Sequence, residues 1–545
     1  DRIHRKGFEE KEMIVFMTLY QRFDQNDMIN STFLSGLLKM MCFLLFVLFA
    51  SCGDKKDTLP ETGFDYCEKV YRNDSMSLTK ELQDIEPQMR DKTGVYVLED
   101  GAGAMVTRAW LTEYAEKTID IQYFIFSTDN VGLIACDYLV RAADRGVKIR
   151  IIVDDIMVDA RVEDILTMDA HENISIKIYN PGVNLGKSIL NKIKKITTDF
   201  RGANQRMHNK TFIVDNKVVI TGGRNIADEY FDYDHEYNFR DRDVLLLGKI
   251  TAEVDTSFNA FWNDALSVPV AELSDEPQDR ASNENKYDRL HEYACNPENF
   301  WPEVRERIEE MPETFSKIKN SGELVWSDQV LFVSDLPGKN DGTDGLGGGG
   351  ISTDTLIDLV KKAKHSLDIQ TPYLITTELS RNLFREAVER GVKVRILTNS
   401  LASTDNVEAF SSYQSDREVL LGTGVRIFEF RPDAAERTRI MTGALQKSLE
   451  HKPVFGLHAK SMVIDGETVV IGTFNLDPRS ANLNTECITI IHSEEVSAKV
   501  QKGMEIEFKP ENSWEITDES NPDDKVGSYK RMKTWTRKIL PKSIL

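Results

Sequence analysis

Ala115-Glu116-Lys117-Thr118-Ile119-Asp120-Ile121-Gln122 returns later in the chain as Ala363-Lys364-His365-Ser366-Leu367-Asp368-Ile369-Gln370, and Arg145-Gly146-Val147-Lys148-Ile149-Arg150-Ile151 returns as Arg390-Gly391-Val392-Lys393-Val394-Arg395-Ile396. Both pairs lie about 250 residues apart, so the chain holds two copies of one unit. Each copy reads as a helix, a β-branched strand such as Ile119 to Phe126, a second helix such as Leu133 to Asp144, and a strand such as Val147 to Val153. Strands alternating with amphipathic helices predict βαβ units around a mixed or parallel sheet. The fold class is therefore α/β, with two tandem domains over 91–265 and 326–510. Residues 52–90 read as a linker. The stretch 266–325 reads as an irregular or short helical connection, carrying Pro269, Pro277, Pro297, Pro302 and Pro312.

The 545 residues are 41% hydrophobic and 29% charged, which excludes disorder, collagen and a disulfide framework as descriptions of the whole. The charge of −21 disfavours nucleic acid as a partner, because such binders carry a broad basic footprint. An anionic substrate must be drawn by a local basic patch, since the field of the whole protein repels it. The six cysteines form no CxxC pair and no zinc-type spacing, so neither a metal site nor a redox dithiol is expected, and no cofactor is called for.

Near the amino end, Met40-Met41-Cys42-Phe43-Leu44-Leu45-Phe46-Val47-Leu48-Phe49-Ala50 is too short to span a membrane and suits the core of an export signal. Ala50-Ser51-Cys52-Gly53 follows with small residues. The reading is a signal peptide over 28–51 starting at Met28, with 1–27 an upstream segment that is untranslated or accessory. The end of this signal resembles a bacterial lipobox, which implies lipidation at Cys52 and a membrane-associated protein of the cell envelope facing the periplasm. Phe49 departs from the Leu or Val usual three residues before that cysteine.

The chemistry is carried by His208-Asn209-Lys210-Thr211-Phe212-Ile213-Val214-Asp215, which returns as His458-Ala459-Lys460-Ser461-Met462-Val463-Ile464-Asp465. Asn225 and Asn475 follow at the same offset, after the glycine turns Gly222-Gly223 and Gly472. A lone HxK is common, but one kept in both copies with Asp and Asn at identical spacing is not coincidence. Residues two apart on a strand share a face, so His and Lys of each copy project together toward one cleft. One imidazole can attack a phosphodiester phosphorus while the other protonates the departing alkoxide. Two lysines and two asparagines can hold the non-bridging oxygens as charge builds. Asp215 and Asp465 belong to the same candidate catalytic set; at the end of an apolar strand they suit a structural turn or a lysine partner better than a direct chemical role.

These motifs, with Gly472-Thr473-Phe474-Asn475-Leu476-Asp477-Pro478-Arg479-Ser480, resemble the phospholipase D superfamily over nearly the whole mature chain. The resemblance implies a pseudo-twofold pair of α/β domains, one active site at their interface and a ping-pong phosphatidyl transfer. It also implies an acidic residue after each motif. Glu486 fits in the second copy, while in the first Glu236 sits at the same offset and Asp243 fits the local pattern. Met207-His208-Asn209-Lys210, Thr221-Gly222-Gly223-Arg224-Asn225-Ile226-Ala227-Asp228-Glu229-Tyr230-Phe231 and Thr398-Asn399-Ser400-Leu401-Ala402-Ser403-Thr404-Asp405 are similar to bacterial cardiolipin synthases of the C-type group. That similarity implies transfer of a phosphatidyl group to the headgroup hydroxyl of phosphatidylglycerol, or the related transfer from phosphatidylethanolamine. Phe410-Ser411-Ser412-Tyr413 stands where that group has a His-Ala-Gly-Tyr-like segment, which leaves acceptor choice open.

Two basic stretches suit a phospholipid membrane as partner. Lys187, Lys192, Lys194, Lys195, Arg201, Arg206 and Lys210 lead into the first motif against the single acid Asp199. In the tail 511–545, Lys530, Arg531, Lys533, Arg537, Lys538 and Lys542 interleave with Tyr529, Met532, Trp535, Ile539 and Leu540, as an amphipathic segment on an anionic bilayer would. Gly345 and Gly347-Gly348-Gly349-Gly350 read as a flexible loop near the site mouth. Hydrolysis as a phospholipase D, and a nuclease of the same superfamily, are the competing enzyme readings. An inactive lipid-binding scaffold would have lost one motif, and both are intact. Because one chain supplies both half-sites, a monomer suffices.

Overall fold

The computed structural model describes residues 76–155, 162–182, 202, 204–273, 284–299, 308–340, 346–440, 453–517, 520–538 and 541–542. The signal at 28–51, the upstream segment 1–27, Cys52 and the basic residues Lys187, Lys192, Lys194, Lys195 and Arg201 lie outside the described residues.

The strands in the first part of the chain are β1 Thr93–Leu98, β2 Thr118–Tyr123, β3 Lys148–Asp154, β4 Ile174–Tyr179, β5 Thr211–Val214, β6 Val218–Gly222, β7 Tyr237–Arg240, β8 Asp243–Gly248, β9 Ser267–Pro269 and β10 Val325–Ser327. Those in the second part are β11 Val330–Ser334, β12 Ser366–Gln370, β13 Lys393–Asn399, β14 Arg426–Phe430, β15 Val454–Leu457, β16 Ser461–Ile464, β17 Thr468–Gly472, β18 Cys487–His492 and β19 Ser513–Ile516. One sheet runs β10-β1-β8-β6-β5-β2-β3-β4-β9 and the other β11-β18-β17-β16-β12-β13-β14-β19. Apart from the extra edge strand β10, the two orders are the same. In both sheets the three strands of the βαβ units are parallel (β2, β3, β4 and β12, β13, β14) and the rest antiparallel, so each sheet is mixed. The edge strands β9 and β19 lie beyond residues 265 and 510 and pair with β4 and β14.

Helices α1 Gly101–Tyr114, α2 Asn130–Asp144, α3 Thr251–Trp262, α4 Ile351–Lys362, α5 Glu378–Glu389, α6 Val407–Leu421, α7 Glu494–Glu507 and α8 Ser528–Arg537 flank the sheets. α2 and α5 start on side chains that satisfy orphan amides: Asp129 accepts from Gly132 N, and Thr377 forms a capping box with Ser380.

Period-2 alternation explains why the central strands are apolar on both sides. On β5, Phe212 and Val214 join the core under the first sheet's own helices, while Ile213 joins a different core. On β16, Met462 and Ile464 face the second sheet's helices and Val463 turns to that same shared core. The shared core takes Val244 and Leu246 from β8 and Val469 and Ile471 from β17, so the sheets meet face to face. Two crossings near the motifs tie the halves together: β15 pairs in parallel with β7, and Met207 forms a bridge with Thr485.

Candidate active site

Each motif enters its strand in the same way. His208 and Lys210 precede β5, His458 and Lys460 precede β16, and all four side chains are buried. The crossings fix them. His208 N donates to Thr485 O at 3.0 Å, and His458 N donates to Arg240 O at 2.8 Å. The residue after each acceptor is an acid, so each half reaches across to the histidine of the other.

Glu486 Oε2 lies 2.8 Å from His208 Nδ1, and Asp241 Oδ2 lies 2.6 Å from His458 Nδ1. Glu486 thus stands where the resemblance implied an acid. In the first copy the acid is neither Glu236, which is exposed, nor Asp243, which accepts from Arg108 Nη2 at 2.8 Å and Arg224 N at 3.1 Å. It is Asp241. Five extra residues between Asn225 and this acid, relative to Asn475 and Glu486, defeat counting by offset. Backbone bonds reveal the register: Gly223 N donates to Arg242 O as Thr473 N donates to Cys487 O. Gly223 is needed for this approach, since a Cβ there would lie 2.1 Å from Asp241 Oδ1. The neighbours Arg240 and Arg242 turn away to Glu99, and Arg240 also pairs with Glu507.

The charges of the two halves meet in one site. Burial, then Lys210, Lys460 and Arg479, hold the His208 imidazole well below its ordinary range. Burial and Lys460 lower His458 to about 4, against the pull of Asp241 and Asp405. Burial also lowers Lys210 to about 8 and Lys460 to about 7, and the two ammoniums repel. Burial pushes Glu486 up to about 7, whereas Asp241, despite its burial, is held below the usual carboxylate range by His458 and Lys460. Two neutral imidazoles beside two buried lysines form a cradle that an anionic phosphate would complete.

Asp335 supports Glu486 from behind, accepting from Glu486 N at 3.0 Å, Lys339 Nζ at 2.8 Å and Ser352 Oγ at 2.7 Å. Thr473 Oγ1 also donates to Glu486. Asn225 Oδ1 accepts from Ile125 N at 3.1 Å, so it fixes the loop after β2, while Asn475 is buried with Oδ1 unpaired.

Asp215 and Asp465, grouped by sequence with the catalytic set, lie at the opposite end of their strands. Asp215 accepts from the amides of Glu116, Lys117 and Thr118, and Asp465 from those of Lys364, His365 and Ser366. Both have positive φ, 51° and 54°. Each caps the turn that starts β2 or β12; at roughly 3.3 Å per residue, a four-residue strand separates it from the histidine. This placement, away from both histidines, supports the structural-turn reading of the two acids over a direct chemical role.

Comparison with known proteins fits this geometry. The family model for the phospholipase D-like domain of cardiolipin synthase matches residues 111–262 and 356–506. The chain belongs to the cardiolipin synthase family of phospholipase D-like proteins. That membership makes it a phospholipase D-type phosphatidyltransferase. Cardiolipin synthase C of Escherichia coli K12 is 32% identical over 432 residues, 78% of this chain and 86% of that one. An uncharacterized protein of Helicobacter pylori J99 is 31% identical over 460 residues, 82% and 88% of the two chains. In fold, the chain is similar to phosphatidylserine synthase of Haemophilus influenzae Rd KW20, at a TM-score of 0.53 and 15% identity, over 85% of this chain and 100% of that one.

In this cardiolipin synthase family member, Arg479 is a site residue that motif reading left without a role. It is half-buried, its charge reaches His208, and its guanidinium donates to Asn204 Oδ1 at 3.1 Å. Phe410, Ser411, Ser412 and Tyr413 are buried within α6, with Tyr413 Oη donating to Glu429 at 2.9 Å. Of the glycines before α4, Gly345 lies outside the described residues and Gly349 is pinned: its N donates to Asn482 Oδ1 at 3.0 Å and its O accepts from Asn340 Nδ2 at 2.5 Å. Asp137, His291 and Cys295 cluster away from the motifs, but the Cys295 sulfur is committed to a disulfide. Among the described residues no helix is long and apolar enough to cross a membrane.

Proposed function

We propose that the protein makes cardiolipin, moving a phosphatidyl group between phospholipids through a phosphohistidine. The carrying observation is the reciprocal pair, His208 with Glu486 and His458 with Asp241, closed around Lys210 and Lys460. His208 Nε2 attacks the donor phosphorus as the P–O bond to the headgroup alcohol breaks. Bound phosphate offsets the charge of Lys460, so His458 takes up a proton as an imidazolium held by Asp241 and gives its Nε2 proton to the departing oxygen. In the second half-reaction His458 takes the proton of the acceptor hydroxyl, whose oxygen attacks phosphorus and displaces His208. Lys210, Lys460 and the Nδ2 donor of Asn475 suit the non-bridging oxygens.

Electrostatics favour this division of roles. His208 is surrounded by Lys210, Lys460 and Arg479, which keep it neutral and nucleophilic. His458 has the ionised Asp241 and the acid Asp405 to stabilise its imidazolium. The acceptor is phosphatidylglycerol, and the donor is phosphatidylglycerol or phosphatidylethanolamine. The envelope location and the lipid anchor at Cys52 belong to the same reading.

The test is product analysis by mass after incubating the purified protein with vesicles of phosphatidylglycerol, alone and with phosphatidylethanolamine. Cardiolipin as the main product is expected; phosphatidic acid with free headgroup in its place would establish hydrolysis.

A further inference from the structure

α8 is built the wrong way round for an ordinary surface helix. At 100° per residue, Tyr529, Met532 and Trp535 fall on one stripe. That stripe faces away from the protein, with exposures of 75%, 59% and 71%. The inward side is polar. Thr534 is buried, Lys530 Nζ donates to Thr404 O at 3.1 Å, and Arg537 pairs with Glu408 at 2.8 Å. Just beyond the helix, Lys542 pairs with Asp416. A helix that packs through charges and shows aromatics to the outside has its apolar face reserved for another phase or partner.

Its place in the fold is equally specific. The loop it rests on, Ser403 to Asp405, is the outer wall of the His458 half-site. Tyr237 donates to Ser403 O, and Tyr373 Oη donates to the exposed Asp405 carboxylate at 2.7 Å. The charge of Asp405 reaches His458 and Lys460 on one side and Lys530 of α8 on the other. The rings of Tyr230 and Phe239 lie 5.1 Å and 4.7 Å from the His458 ring and complete this wall.

We propose that α8 docks the protein on an anionic phospholipid bilayer, with Tyr529, Met532 and Trp535 entering the interfacial zone and the His458 side of the active site held against the headgroups. Charge complementarity selects this occupant: residues 529–545 carry six basic residues and no acid on a chain of net charge −21, and while Lys530, Arg537 and Lys542 pair inward, Arg531 and Lys538 are exposed beside the stripe. Three apolar side chains on a ten-residue helix fall short of the roughly 800 Å² per partner of a stable protein interface. They suffice for interfacial insertion, where Trp and Tyr tips enter the headgroup zone and basic side chains meet anionic lipid. The inference rests on the reading that the substrates are bilayer phospholipids.

The experiment uses the full chain and lipids brominated in the acyl chain, which quench only tryptophan that enters the bilayer. Wild-type fluorescence should be quenched by phosphatidylcholine vesicles containing phosphatidylglycerol, and Trp535→Phe should remove that quenching, whatever else anchors the protein. The triple variant Tyr529→Ser, Met532→Ser, Trp535→Ser should turn over vesicle phosphatidylglycerol about tenfold more slowly. It should process monomeric short-chain phosphatidylglycerol at the wild-type rate, which also shows that it is folded. Equal quenching of wild type and Trp535→Phe, quenching as strong on phosphatidylcholine alone, or an unchanged vesicle rate in the triple variant would overturn the docking role. Quenching at Trp535 without turnover of either lipid would instead remove the proposed reaction and leave the docking surface standing.

Discussion

His208 Nδ1 and Glu486 Oε2 lie 2.8 Å apart although 278 residues separate them in the chain. The mirror contact, His458 with Asp241, spans 217 residues. Each half of the protein therefore supplies the acid that engages Nδ1 of the other half's imidazole, which in the proposed reaction leaves Nε2 for phosphate. Neither half is complete alone.

Asp241→Asn and Glu486→Gln should each cut kcat by about 10²- to 10⁴-fold with a small change in KM, because the amide no longer fixes or stabilises the imidazole. Glu236→Gln, at an exposed turn, should leave kcat unchanged. Asp243→Asn should instead lower the melting temperature, since Arg108 and Arg224 are buried against it. Steady-state kinetics and thermal melts of the four variants check this; a catalytic loss in Glu236→Gln would restore the assignment by offset.

The roles of the two histidines separate by leaving group. A donor lipid carrying a nitrophenol should rescue the first half-reaction of His458→Asn, because that alcohol departs without a proton. His208→Asn should stay inactive on both donors, and the trapped adduct should map to the peptide containing His208. Rescue of His208→Asn, or an adduct on His458, would exchange the roles and keep the reaction.

Buried lysines set the pH response. With Lys460 lowered to about 7 and Lys210 to about 8, kcat/KM, which reports the free enzyme, should fall on the alkaline side from about pH 7 to 8 as these ammoniums lose their protons. The linkage has the opposite sign for stability. A lysine whose folded pKa lies below its unfolded value binds fewer protons when folded, so the empty protein should gain stability between pH 7 and 10.5. At pH 7 inorganic phosphate should raise the melting temperature of the wild type and do so less for Lys460→Met, whose site lacks the cation that pairs with it. Titrating kcat/KM and melting temperature with pH and phosphate tests both signs.

For Asp215→Ala and Asp465→Ala the expected effect is on stability. Each variant loses the carboxylate that accepts from three backbone amides at a turn with positive φ, at a cost of about 1–3 kcal/mol, while kcat per folded molecule stays within about twofold of wild type. Denaturant melts and active-site titration decide it; a kcat loss without a stability change would return these acids to the chemistry.

Turnover should persist in strong chelators, because lysines occupy the positions where a metal would neutralise the phosphate. Assay after dialysis against chelator checks this, with recovery on adding a divalent ion as the contrary result.

Most of the fold was legible because it is written twice. The repeated Arg-Gly-Val-Lys segments at 145 and 390 and the strands after them alternate so strongly that βαβ units followed directly. The histidines and lysines were legible for the same reason, since spacing within a strand is local information. Strand β9 in the connecting stretch was not, because three residues of low apolar content give no period to read. Its pairing with β4 is a tertiary event.

The sequence by itself determined the two α/β units, the HxK pairs and the basic tail, all properties of short segments. Only the tertiary structure decided which acid serves which histidine, because that depends on chain crossings at Met207–Thr485 and β7–β15, where five inserted residues shift the count. It alone separated Asp215 and Asp465 from the site, since their amide partners lie about 100 residues away in sequence. It alone turned the aromatic stripe of α8 outward. A helix pattern states which residues share a face, but the neighbours it packs against decide whether that face is covered.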